Sequence, residues 1–175
     1  RSQLPAIEMA VDVVSTLDFI NAKAVFHQSF NCVIPRVGGD QLELVEARHP
    51  VLEENLRAAG GSVVPVTLSL DENHNAMVIS GANAGGKTVV LKTAGLLSLM
   101  ALSGVSVPAA EASFPFYKLV LADIGDHQSI AANLSTFTSH VANIARMIQL
   151  CEAPALVLLD EVGTGTDPEE GSALG

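Results

Sequence analysis

Apolar residues recur at helical spacing from Pro5 to about His27. Ile7, Val11, Val14, Leu17, Ile20 and Ala24 form the stripe, and Asp12, Asp18, Asn21 and Lys23 lie mostly off it. The pattern predicts a long amphipathic helix, either packed on a core or connecting to other parts of a longer protein. Cys32 to Pro35 is short and apolar, and Val37-Gly38-Gly39-Asp40 turns the chain. Residues 41–46 (Gln-Leu-Glu-Leu-Val-Glu) alternate, the period of a half-buried strand. Arg48-His49-Pro50 ends that strand, since a residue before proline favours extended backbone. His49 reads as a structural histidine there. Glu53 to Ala59 predicts a helical turn broken by Gly60-Gly61, and Val63 to Leu70 is β-rich with Pro65 inside, as suits an edge strand. The polar turn Asp71 to Asn75 leads into a short apolar run, Ala76 to Ser80, expected to be a strand.

Thr88 to Ser103 predicts a largely buried helix carrying Val90, Leu91, Ala94, Leu97, Leu99 and Met100, closed by Gly104. Residues 106–115 connect it to a strand over Phe116 to Ala122, and Asp123 to Ile130 is a mostly polar loop. Ser135 to Cys151 is a helix with Phe137, Val141, Ile144, Ala145 and Ile148 on one face. Ala155 to Leu159 is a continuous apolar run between Pro154 and Asp160, as expected of a central parallel strand. Strands and helices that alternate in this way predict an α/β fold with a mostly parallel sheet.

Of the 175 residues, 49% are apolar and 16% charged, which allows a large core. The net charge of −10 argues against a dedicated nucleic-acid groove, which would be basic. Any contact with nucleic acid falls to other segments. Cys32 and Cys151 have no metal-ligand spacing, and two lone thiols fit a reducing cytoplasm. No apolar run approaches the roughly 18 residues of a membrane span, and residues 1–30 contain no signal-peptide core. Arg1 enters a helix already under way, and Gly175 falls where a new helix should follow Asp167-Pro168-Glu169-Glu170. A fragment of a longer protein is therefore expected.

The candidate chemistry centres on Gly81-Ala82-Asn83-Ala84-Gly85-Gly86-Lys87-Thr88, which matches the phosphate-loop pattern G-x-x-x-x-G-K-[ST] between a predicted strand and a predicted helix. Glycines let successive N–H groups turn toward phosphate oxygens, and the helix adds its positive end. Lys87 would reach the β- and γ-phosphates, and the Thr88 hydroxyl would ligate Mg²⁺. Asp160, at the end of the buried strand, can hold Mg²⁺ through water, and the adjacent Glu161 can orient or deprotonate an attacking water. The two motifs together point to ATP, Mg²⁺ and hydrolysis by positioning and charge neutralisation. Ser135 is a plain helix N-cap on one reading; on another, its hydroxyl and the helix end face a second anion, the γ-phosphate held by a second copy. Gly163-Thr-Gly-Thr-Asp167 is either a plain loop or a segment crossing that dimer interface.

These residues resemble the ATPase domain of the MutS family, within the ABC-type ATPases. GANAGGKT, the Ser-Thr-Phe at 135–137, LVLLDE at 156–161, GTGTDPEEG at 163–171 and ARHPVLE at 47–53 carry the resemblance. Asn133-Leu134 before Ser135, the GTDPEEG turn and DFINAKA at 18–24 point to the second bacterial MutS paralogue, whose full-length form carries an Smr nuclease domain. Ala82 stands where the family usually has proline. The resemblance implies a P-loop NTPase fold of the ABC type, with a mostly parallel sheet flanked by helices and a small antiparallel β part. It divides the chain into the end of a lever helix (1–30) and an ATPase domain truncated at its C-terminus (31–175). It implies a homodimer through the ATPase domain, with Ser135 on the γ-phosphate of the second copy and a base-stacking contact around Val64 to Val66, where this chain has no aromatic residue. It implies coupling of ATP to mismatched or branched DNA, restraining homologous recombination, or to splitting of stalled ribosomes, with weak hydrolysis by this stretch alone. The competing readings are a nucleotide-binding regulatory module with little turnover and a RecA-like or AAA+ motor.

Overall fold

The computed structural model describes residues 4–82, 85–125 and 133–160, with backbone alone for 133–139. Four helices and six strands are described: α1 (Leu4–Ser29), β1 (Arg36–Val37), β2 (Leu42–Ala47), α2 (Pro50–Ala58), β3 (Val66–Leu70), α3 (Lys87–Leu102), β4 (Glu111–Phe114), β5 (Leu119–Asp123), α4 (Asn133–Leu150) and β6 (Ala155–Leu159).

Both a parallel and an antiparallel part are present, as expected, but among the described residues they are separate sheets and the antiparallel one is the larger. One has the order β1-β4-β2-β3, antiparallel except for the parallel β1–β4 pair. The other is the parallel pair β5–β6, in register from Leu119↔Ala155 to Asp123↔Leu159. Helix α4 forms the crossover of this βαβ unit, as a parallel pair requires. Within β2 the register against β3 jumps from Leu44↔Leu68 to Ala47↔Val66, and Glu46 takes a φ of +49° in the bulge. The Glu46 N–H donates to Thr67 Oγ1 at 3.1 Å, which satisfies a group taken out of the ladder.

Helix α3 packs against β1, β5 and β6, and the core gathers around it. Phe114, Leu42, Leu44, Leu97 and Val107 are fully buried, joined by Leu156 and Leu158 of β6. Apart from Leu97, the buried residues of α3 are small (Thr93, Ala94, Gly95, Ser98 and Ala101), so backbone and strand can approach closely. Thr93 and Ser98 return their hydroxyls to the carbonyls of Val89 and Ala94, four residues back.

Two expectations are corrected, and one of two readings of α1 is removed. The run Ala76 to Ser80 is not a strand; it forms no ladder among the described residues, and Val78 is 93% exposed. A strand exists only with a hydrogen-bonded neighbour, whatever its residues prefer. Strand β6 alternates buried and exposed positions instead of being covered on both faces: Leu156 and Leu158 join the core, Val157 and Leu159 are exposed, and the strand lines an apolar cleft of about 990 Å³. Helix α1 contains no buried residue, so it is not a core helix of this chain.

Its C-terminal end, by contrast, is held. Arg48 Nη2 donates to the carbonyls of Phe30 (2.7 Å) and Asn31 (3.1 Å), while Arg48 Nη1 binds both oxygens of Glu53 at 2.8 and 3.0 Å. Arg57 also binds Glu53 and stacks its guanidinium over the Phe30 ring. It donates as well to the Ser29 carbonyl at 3.4 Å, one of the orphan carbonyls of the last helical turn.

Candidate functional site

Between residue 80 and α3 the backbone makes the turn that the glycine spacing predicts. Gly81 and Gly86 take φ of +149° and +81°, conformations costly for any residue with a Cβ, and the Gly85 N–H closes on the Ala82 carbonyl at 2.8 Å. Asn83 and Ala84 lie outside the described residues. Gly86 is the N-cap of α3, and no side chain caps it, so the first N–H groups of the helix face the loop. Four orphan donors and the helix dipole at one point make a phosphate-sized anion the natural ligand. Lys87, the first residue of α3, folds back with Nζ 2.7 Å from the Gly81 carbonyl and so lies over the loop.

The next residue reaches across the fold. Thr88 Oγ1 donates to Asp160 Oδ2 at 2.6 Å, joining positions 72 residues apart. Asp160 follows directly on β6, and its N–H donates to the main-chain carbonyl of Asp123 at 3.0 Å. A hydroxyl and a carboxylate thus meet beside the loop. Both are hard oxygen donors, the set Mg²⁺ takes when waters and phosphate oxygens complete its shell. The donors present therefore fit the metal.

Asp123 itself was not among the expected site residues. It ends β5, is 8% exposed, and places Oδ2 2.5 Å from His140 Nδ1 while Oδ1 accepts from Asn143 Nδ2 at 3.2 Å. In the sequence it stood at the head of a polar loop. The available signal was the likeness of Leu119-Val-Leu-Ala-Asp123 to Leu156-Val-Leu-Leu-Asp160, two apolar runs each ended by aspartate.

The other expected residues are less accessible. Glu161 and Gly163 to Asp167 lie outside the described residues. Helix α4 begins at Asn133, so Ser135 falls in its first turn rather than at its cap; its side chain lies outside the described residues. Val64 is 82% exposed. His49 is the N-cap of α2, with Nδ1 accepting from the Leu52 N–H, a structural role as expected. Burial, with Lys92 nearby, holds its pKa below the ordinary value. The apolar cleft beside β6 is lined by Met77, Ile79, Leu156 and Tyr117 but not by the loop glycines, Lys87 or Thr88. Burial there pushes the Tyr117 hydroxyl up to about 12. No described helix is long and apolar enough to cross a membrane.

Residues 77–175 match the family described as MutS domain V. Endonuclease MutS2 of Clostridium botulinum is 42% identical over 176 residues, covering 99% of this chain and 22% of that protein. The same-named protein of Exiguobacterium sibiricum is 47% identical over 171 residues, covering 97% of this chain and 21% of the relative. That of Clostridium tetani is 43% identical over 175 residues, with 99% and 22% covered. The chain thus spans about a fifth of the length of these curated relatives.

Proposed function

Because the chain belongs to the MutS family, through the domain V matched at residues 77–175, we propose that it is an ATP-binding and ATP-hydrolysing motor domain of the ABC type, working as a homodimer. The observation that carries the reading is the 2.6 Å bond from Thr88 to Asp160 beside an uncapped helix N-terminus.

On this reading the loop 81–88 cradles the phosphates with its N–H groups, and Lys87 leaves the Gly81 carbonyl for the β- and γ-phosphates. Thr88, and Asp160 through water, are the residues that would hold Mg²⁺, and the metal would supply neutralisation of charge on the phosphates. Glu161 orients the attacking water and accepts its proton. Ser135, in the first turn of α4, faces the γ-phosphate held by the second copy, so each working site draws on two chains. The family resemblance supports coupling of this cycle to mismatched or branched DNA or to ribosome splitting. Contacts with either ligand, and the endonuclease activity in the relatives' name, belong to parts of those proteins that this chain does not span.

The test is ATP turnover by the full-length protein against its Glu161→Gln variant. Loss of the water-orienting carboxylate should lower kcat by about 10²–10⁴. Equal, near-zero rates in both proteins would leave a nucleotide-binding switch in place of a motor.

A further inference from the structure

Asp123 joins the strand end that carries Asp160 to helix α4. Its main-chain carbonyl accepts from the N–H of Asp160, at the strand end that meets Thr88. Its carboxylate meets α4 twice, through His140 on Oδ2 and Asn143 on Oδ1. His140 and Asn143 are three residues apart and so share a helix face. A single bond would leave the helix free to swivel about it. Two bonds from positions nearly one turn apart, to two oxygens of one planar group, fix both its distance and its rotation. Ser135 lies five residues before His140 on the same helix, about 7.5 Å along the axis.

We propose that Asp123 is a positioning residue for ATP turnover. Its buried carboxylate sets the rotation and advance of α4 relative to the strand end carrying Asp160, and so the aim of the Ser135 turn at the nucleotide of the second copy. The inference rests on the ATPase reading above. A buried aspartate could serve stability alone, and the difference lies in what its loss moves. A structural role would lower folding and nucleotide affinity together. A positioning role lowers kcat and leaves the phosphate loop, on α3, to bind as before.

The experiment uses the full-length protein and reads kcat, KM for ATP, and affinity for a fluorescent ATP analogue. Asp123→Ala should lower kcat at least tenfold while KM and affinity move less than twofold. The exchange Asp123→Asn with Asn143→Asp rebuilds the pair with donor and acceptor reversed and leaves an acceptor for His140. It should regain at least a third of the wild-type kcat. Wild-type kcat in Asp123→Ala, or a parallel loss of kcat and affinity that the exchange does not restore, would overturn the proposal. Should Asp123→Ala not fold, Asn143→Ala removes one bond only. It should lower kcat about threefold at unchanged KM, and an unchanged kcat overturns the proposal equally. Lys87→Ala separates the two readings. If it binds nucleotide like wild type, the phosphate loop is misassigned and both readings fall; if it does not, a silent Asp123→Ala removes the positioning role alone.

Discussion

A Cβ placed on Gly95 of α3 would stand 2.7 Å from Leu158 Cδ1 of β6, so the helix backbone rests directly on the strand. Gly95 lies seven residues after Thr88, two turns along the same helix face, and Leu158 lies two residues before Asp160 on the same strand face. The close approach at one pair therefore determines the meeting of the other. Gly95→Val should wedge helix from strand and lower stability by about 2–3 kcal/mol, as overpacking does. Gly95→Ala gains about 1 kcal/mol of helix propensity, and the Leu158 methyl can turn aside, so its net cost should stay near 1 kcal/mol. Denaturant midpoints of the two variants test this order.

Thr88→Val keeps the shape of the side chain and removes the hydroxyl that Asp160 accepts from. Wild-type protein at about one hundred times the Kd of MgATP should gain about 2.7 kcal/mol from the ligand. The variant should gain no more from MgATP than from ATP with EDTA. Thermal shifts with and without the chelator provide the measurement.

The relation of sequence to structure divides along the same line. Strand β6 runs from Ala155 to Leu159 as its apolar run between Pro154 and Asp160 predicts, because composition and breakers are local. The phosphate-loop pattern was legible for the same reason: glycine at Gly86 answers a backbone need within four residues of chain. Ala76 to Ser80 has strand composition but no ladder, since pairing is a property of the neighbour and not of the run. Asp123 read as the start of a loop because its partner His140 is 17 residues away. The seat of α1 was illegible too, as an apolar stripe does not say what it will face.

His49 makes acid stability titratable. Burial and Lys92 depress its folded-state pKa, so the unfolded chain takes up the proton first as pH falls. Stability is therefore complete above the ordinary value of 6.5 and is lost as pH drops below it toward the folded pKa. Protonation also removes the Nδ1 lone pair that accepts from Leu52. His49→Asn keeps an N-cap acceptor and does not titrate. Its stability between pH 6.5 and 5 should fall less steeply than that of wild type in urea titrations at each pH.

Arg48→Ala would leave Glu53, at 12% side-chain exposure, with Arg57 as its remaining guanidinium partner and would release the carbonyls of Phe30 and Asn31. A loss of about 2–3 kcal/mol is expected for so mutual and partly buried a set of bonds. Arg48→Lys should recover little, because one ammonium cannot meet both the carboxylate and the two carbonyls in the planar fork geometry. Chemical unfolding of the three proteins side by side measures both effects.

The grip of Arg48 and Arg57 makes α1 a cantilever. Its 26 residues give a rod about 39 Å long, with no buried residue and anchored only near its root among the described residues. A tilt of about 5° at the guanidinium groups carries the far end through about 3 Å over that length. Leverage of this kind needs no large movement near the nucleotide. Side-chain displacements of a few tenths of an ångström around Glu53 are enough to swing the tip by the width of an atom.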